Sequence, residues 1–149
     1  PGGKERYHST LSALEVCTEP EDLLLIHDAV RPLVSEAIIS RCVEALARYD
    51  AVGVAVPSTD TIVRVDENEC IVETLPRAVL RNMQTPQGFR QKVLRQAFDL
   101  GLQDPHFAPT DDCGVVRRYL PDVPIRIVEG EVTNIKITYP KDLEMIRKV

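Results

Sequence analysis

Four consecutive apolar residues, Leu23, Leu24, Leu25 and Ile26, run directly into His27-Asp28-Ala29-Val30-Arg31-Pro32. A short unbroken apolar run closed by charge marks a strand buried on both faces of a parallel sheet, and ligands of such sheets gather beyond the strands' carboxyl ends. Asp28 and Arg31 then stand where chemistry is done. A carboxylate able to hold a divalent metal lies three residues from a cation able to hold a phosphate. Taken alone, the pair reads first as a structural salt bridge at a strand end, and later segments decide between the two.

The flanking pattern agrees with a layered α/β sheet. Residues 6–16 place Tyr7, Leu11 and Leu14 at helical spacing, and Pro20 stops that helix before the strand. Ser35 suits an N-cap, and Ile38, Ile39, Cys42, Val43 and Leu46 make one apolar helix face ahead of an apolar strand at 51–56. Strand, helix and strand form a βαβ unit, so the spacing predicts a doubly wound, mostly parallel sheet rather than a sandwich. The partly alternating stretches at 61–65 and 71–74 flank the polar Asp66-Glu67-Asn68-Glu69 and predict a hairpin. A two-stranded ribbon is marginal by itself, so it should lie against the sheet or another subunit. Helices are expected at 91–102 and after Thr110, whose hydroxyl can cap a turn begun by Asp111 and Asp112. A strand at 125–128, a short one at 134–138 and a helix opened by Pro140 complete the chain. Residues 1–149 read as one domain, entered partway through a fold because a loop and a helix precede the first strand.

Charge narrows the function. A net charge of -5 argues against a nucleic-acid surface, so a bound phosphate belongs to a small molecule. Cys17, Cys42, Cys70 and Cys113 form no CxxC pair, the first two fall on apolar helix faces, and all four read as reduced thiols. No apolar run approaches the roughly 20 residues of a membrane span, and the expected location is cytoplasmic. His8, His27 and His106 show no metal-pair spacing and are given no catalytic role.

Four further motifs carry chemistry, each with a plainer alternative. Gly2-Gly3-Lys4-Glu5-Arg6-Tyr7-His8-Ser9, entered from Pro1, is a glycine turn leading to a helix start, or simply a loop. Gln84-Thr85-Pro86-Gln87-Gly88-Phe89 reads as a polar loop before a helix, either binding or capping. Thr110-Asp111-Asp112 offers metal ligands or acids placed for a helix dipole. In Asn134-Ile135-Lys136-Ile137-Thr138 the polar residues share one strand face, facing an anion or solvent.

In this order, together with Asp60-Thr61 and Arg77, these segments resemble the 2-C-methyl-D-erythritol 4-phosphate cytidylyltransferases over essentially the whole chain. The resemblance implies a Rossmann-like nucleotidyltransferase and a homodimer exchanging a β-arm at 59–74. It implies that Gly2, Gly3, Arg6, Ser9, Asp28 and Ala29 meet CTP, and that Asp28 binds Mg2+. By the same similarity Arg31, Thr61, Arg77, Thr85, Thr110 and Lys136 hold the sugar-alcohol phosphate or shape its pocket, with Lys136, Arg31 and Asp28 catalytic. Arg77 and Thr61 would serve the partner's site. The family pattern opens with a strand and a glycine-rich loop around the triphosphate that these residues do not supply, so the 149 residues alone are expected to turn over poorly. Rival readings are a ribitol-5-phosphate cytidylyltransferase, which differs only in acceptor, a non-catalytic remnant of the fold, and a sugar nucleotidyltransferase using another base.

Overall fold

A computed structural model describes residues 2–148; Pro1, the first residue of the glycine turn, lies outside them. The elements run α1 (Arg6–Val16), β1 (Leu23–Ile26), α2 (Glu36–Leu46), β2 (Ala51–Pro57), β3 (Val63–Val65), β4 (Ile71–Thr74), β5 (Arg81–Arg90), α3 (Gln91–Gly101), α4 (Asp112–Tyr119), β6 (Ile125–Glu129) and α5 (Pro140–Ile146). The main sheet has the order β1-β5-β2-β6. β2 and β6 pair in parallel, and β5 runs antiparallel to both β1 and β2. Three of the four strands therefore share a direction. The predicted crossover from β1 through α2 to β2 is present, but it steps over β5 instead of joining neighbours.

The helices cover both faces of the sheet. Alternation along β2 sends Ala51 to one side, where Leu14, Phe89, Leu94, Phe98 and Val116 are packed, and Val52 and Val54 to the other, against Ile38, Cys42 and Leu46 of α2. Gly88 of β5 is confined on that second side: a Cβ would meet Val52 Cγ2 at 2.8 Å and Leu25 Cδ2 at 2.9 Å. Side-chain alternation across a sheet covered on both faces thus builds two apolar layers from one set of strands.

Several expectations are corrected. β1 is an edge strand among the described residues and is only half-buried, with Leu23 41% exposed, because its one pairing is with β5. The segment Gln84–Phe89 is the interior of a ten-residue strand rather than a loop. It tolerates its proline because pairing with β2 is interrupted opposite Val54: the register jumps from Gly53↔Gln87 to Ala55↔Met83, leaving Gln84, Thr85 and Pro86 outside the ladder. The cap of α4 is Asp111, whose carboxylate accepts from the Gly114 amide at 2.7 Å, and not Thr110. Residues 134–138 form no strand; they are tied down by the Ile137 amide donating to the Val30 carbonyl at 2.8 Å and by the hydrogen bonds of the buried Asn134. Cys17 follows α1 as its C-cap residue rather than lying on its face, and all four cysteines are free.

The hairpin is present as β3 and β4, and its strand residues are exposed. Among the described residues no helix is long and apolar enough to cross a membrane.

Phe89 is fully buried, opposite Leu24 of β1 and Ala51 of β2. Phe89→Ala should lower unfolding free energy by about 3–5 kcal/mol in urea titrations. Val16→Ala, at a position 82% exposed, should change it by less than about 0.5 kcal/mol.

Candidate functional site

The site is built where β1 ends. The Arg31 amide donates to the Asp28 carbonyl at 2.9 Å, folding residues 27–31 into a turn. The Asp28 amide donates to Thr85 Oγ1 at 3.0 Å, which docks the turn on the unpaired stretch of β5. Ile137, bonded to Val30, brings Lys136 alongside. The Asp28 carboxylate then faces three cations: Arg6 Nε at 3.3 Å, Arg31 Nε at 3.7 Å and Lys136 Nζ at 3.9 Å.

Arg31 is the most enclosed of the three. Its Nη1 donates to the Asn134 carbonyl at 2.8 Å, while its buried Nε has no hydrogen-bond partner. Burial pulls its pKa down from the ordinary arginine value, against the attraction of Asp28. Asn134 is itself fully buried and donates to the Thr85 carbonyl at 2.8 Å and to Gln84 Oε1 at 3.2 Å. One buried amide thus couples the Arg31 contact to β5.

The two acids ahead of α4 have separate tasks. Asp111 caps the helix with one oxygen and accepts from Gln87 Nε2 at 2.9 Å with the other. Asp112 is fully buried; it accepts from Thr10 Oγ1 at 3.0 Å and pairs with Arg6 Nη1 at 3.2 Å. Burial raises the Asp112 carboxyl above its ordinary pKa, and Arg6 and Thr10 oppose that only in part. Burial also acts to lower Arg6, but Asp112 and Asp28 outweigh it and its pKa is raised. Of the two alternatives for this motif, the arrangement is a helix start tethered to α1. Among the described residues no three His, Cys, Asp or Glu side chains converge as a metal cage.

Two adjoining clefts share Arg6 and Asp28 as their common wall. The larger, about 800 Å³, is also lined by Ser9, His27 and Ala29. The smaller, about 400 Å³, is also lined by Arg31, Thr85, Thr110 and Lys136. Eight of the twelve residues singled out from the sequence are therefore brought together. Gly2 lies beside Ser9, where a Cβ would come 3.5 Å from Oγ, and a Cβ on Gly3 would collide with His8, but neither glycine lines a cleft. Thr61 and Arg77 are exposed and line neither cleft of their own chain; Arg77 Nη1 donates to the Thr59 carbonyl at 2.8 Å. Sequence reasoning misses Thr10 and places Gln87 and Asn134 only in a polar loop and on a strand face; all three are buried polar groups whose partners are far away in the chain, and the density of amides around Thr85 is the only available signal.

A sheet layered by helices on both faces, with a cation-rich cleft beyond the carboxyl end of a strand, defines an α/β protein of the anion-handling kind. The chain belongs to the 2-C-methyl-D-erythritol 4-phosphate cytidylyltransferase family, which it matches over residues 1–148. It is 53% identical to the enzyme of that name from Thermobifida fusca (strain YX) over 149 residues, covering 96% of this chain and 60% of the relative. It is 45% identical to the bifunctional ribulose 5-phosphate reductase/CDP-ribitol pyrophosphorylase of Haemophilus influenzae, covering 99% of this chain and 32% of that protein. The crystal structure of 2-C-methyl-D-erythritol 4-phosphate cytidylyltransferase from Thermus thermophilus superposes with a TM-score of 0.84 at 36% identity, over 99% of this chain and 71% of that one. The chain thus spans 60% or less of the length of these two curated relatives.

A carboxyl whose folded pKa is raised binds its proton more tightly in the folded state, so its contribution is present below the unfolded value near 3.9 and is lost as pH rises through the folded value. The stability of the native protein relative to Asp112→Asn should therefore decline as pH rises from about 3 to 7. Paired urea titrations across that range check it; a difference that grows with pH would reverse the assigned direction.

Proposed function

We propose that this protein transfers a cytidylyl group from CTP to 2-C-methyl-D-erythritol 4-phosphate, releasing pyrophosphate and supplying isoprenoid precursor synthesis. The observation that carries the reading is the pair of clefts joined through Arg6 and Asp28, with Arg31 and Lys136 crowded into the smaller. Gly2, Gly3, Arg6, Ser9 and Ala29 take the cytidine side. Arg31 and Lys136 hold the acceptor phosphate, while Thr85 and Thr110 shape its pocket.

The chemistry needs little acid-base help. An ionised oxygen of the acceptor phosphate attacks the α-phosphorus of CTP, and the α–β bridging bond breaks so that pyrophosphate departs with the electron pair. Two anions must be brought within bonding distance, so positioning and charge compensation dominate. Arg31 and Lys136 lower the repulsion between them, and Arg6 can turn from Asp28 toward phosphate while Asp112 still holds it.

Asp28 suits Mg2+ as a lone carboxylate, since that ion commonly takes one or two carboxylates together with substrate phosphate oxygens. Three cations already crowd the Asp28 oxygens, so the ion's affinity there depends on the triphosphate arriving with it. Bound there it would supply Lewis-acid stabilisation of charge on the phosphoryl oxygens.

The arm supports a homodimer. Val63, Val65, Ile71 and Val72 are exposed on a two-stranded ribbon, an arrangement marginal without further cover. Crossing to a second copy would bury them and deliver Thr61 and Arg77 to that copy's acceptor cleft.

Pyrophosphate release measured with CTP and each acceptor, on the full-length protein carrying the family's glycine-rich opening, tests the reading: turnover with methylerythritol phosphate should exceed that with ribitol 5-phosphate, and the opposite preference would assign the chain to the latter acceptor, as the Haemophilus influenzae relative's name would have it. Lys136→Ala should lower kcat about 10²- to 10³-fold. An unchanged rate would remove Lys136 from the mechanism. Arg77→Ala should raise KM for the acceptor about tenfold, the effect of losing one charged hydrogen bond, and leave KM for CTP nearly unchanged; equal loss of both would misplace this residue.

A further inference from the structure

The turn that carries Asp28 and Arg31 is held by a chain of hydrogen bonds that passes through Thr85 and His27. His27 Nε2 lies 2.9 Å from the Arg31 carbonyl oxygen. That oxygen can only accept, so Nε2 carries the hydrogen. A neutral imidazole then has an acceptor at Nδ1, and the group 2.9 Å from it is Thr85 Oγ1. The Thr85 hydroxyl therefore donates to Nδ1, and its oxygen accepts the Asp28 amide at 3.0 Å. Donation runs from Asp28 to Thr85, from Thr85 to His27, and from His27 to Arg31.

We propose that His27 is a positioning residue acting with Thr85, and that Thr85 braces the acceptor cleft from behind instead of donating to the acceptor. The role in turnover rests on the function proposed above; the hydrogen-bond chain does not. Thr85 is 3% exposed, and a hydroxyl that donates its single hydrogen to a neutral His27 ring 2.9 Å away has no donor left for an anion. His27 lines the larger cleft, yet both of its nitrogens are engaged within the chain, so it offers a ligand only its ring face. Together the two residues close the turn upon itself across residues 27–31 and pin it to β5, fixing Asp28 and Arg31 at the junction of the clefts.

Nitrogen-15 spectra of the histidine rings, recorded on the labelled protein at about pH 8, where an ordinary histidine is neutral, test the chain without reference to turnover. His27 should be protonated at Nε2 and unprotonated at Nδ1. Thr85→Val should shift the Nδ1 resonance and Thr85→Ser should leave it in place. In kinetics, Thr85→Val and His27→Ala should each lower kcat/KM about tenfold, the size of one lost hydrogen bond, with Thr85→Ser restoring the rate. The double variant should also lose about tenfold, because both changes break one chain. A ring protonated at Nδ1, or a double variant whose losses multiply to about a hundredfold, would overturn the proposal. Absence of transfer to either acceptor, even with the family's opening strand and glycine-rich loop in place, would instead defeat the functional reading, and the ring spectrum would then decide the hydrogen-bond chain by itself.

Discussion

The Asp28 carboxylate lies 3.3 to 3.9 Å from Arg6, Arg31 and Lys136, cations that enter from α1, from the end of β1 and from the segment beyond β6. Like charges brought this close in a cleft repel strongly unless an anion stands between them. Asp28 supplies that anion, and Asp112 steadies Arg6 from the other side. Everything else in the site serves to keep one carboxylate at the meeting point of segments that are far apart in the chain. The turn at 27–31, the break in β5 and the Ile137 contact each remove one way for it to move.

The parts of this arrangement visible in the sequence are those encoded locally. The run 23–26 followed by Asp28 and Arg31 joins an apolar period to a change of charge, and the strand ends where that change predicts. Ser35 caps α2 through the Ile38 amide because an N-cap needs only its own neighbours. The interior of β5 is illegible for the opposite reason. Glutamine and proline are poor signals of a strand, proline being depleted there, and here Gln84 and Gln87 are tolerated because Glu131, Asn134, Asp111 and Cys113 satisfy their amides from 24 to 50 residues away. No local pattern carries that information. The alternation at 134–138 misleads similarly: extended backbone becomes a strand only beside another, and what this stretch finds instead are the Ile137 bond to Val30 and the side-chain bonds of Asn134.

Thr61 and Arg77 differ from the rest in kind. Nothing about hairpin periodicity marks them, and in their own chain they stand apart from both clefts. Their assignment comes from family resemblance, whereas the hairpin follows from alternating residues around an acidic turn. The physical link between the two is the exposed valine and isoleucine of β3 and β4, which ask for cover that the sheet of the same chain does not give.

The ion pairing also bears on which anions the site accepts. Its network sets Arg6, Arg31 and Lys136 against Asp28 and Asp112, with Asp111 also lining the smaller cleft, so positive and negative groups are matched in number there inside a chain of net charge -5. An incoming phosphate must compete with Asp28 for Arg31 and Lys136. A weakly charged anion would exchange one moderate pairing for another and gain little. A phosphate monoester offers several acceptor oxygens to the guanidinium donors and the ammonium at once, and charge-assisted contacts of that kind are roughly twice as strong as neutral ones. On the proposed function, Asp28 would act as a threshold, holding the cations in register until a ligand arrives with enough charge to displace it from them.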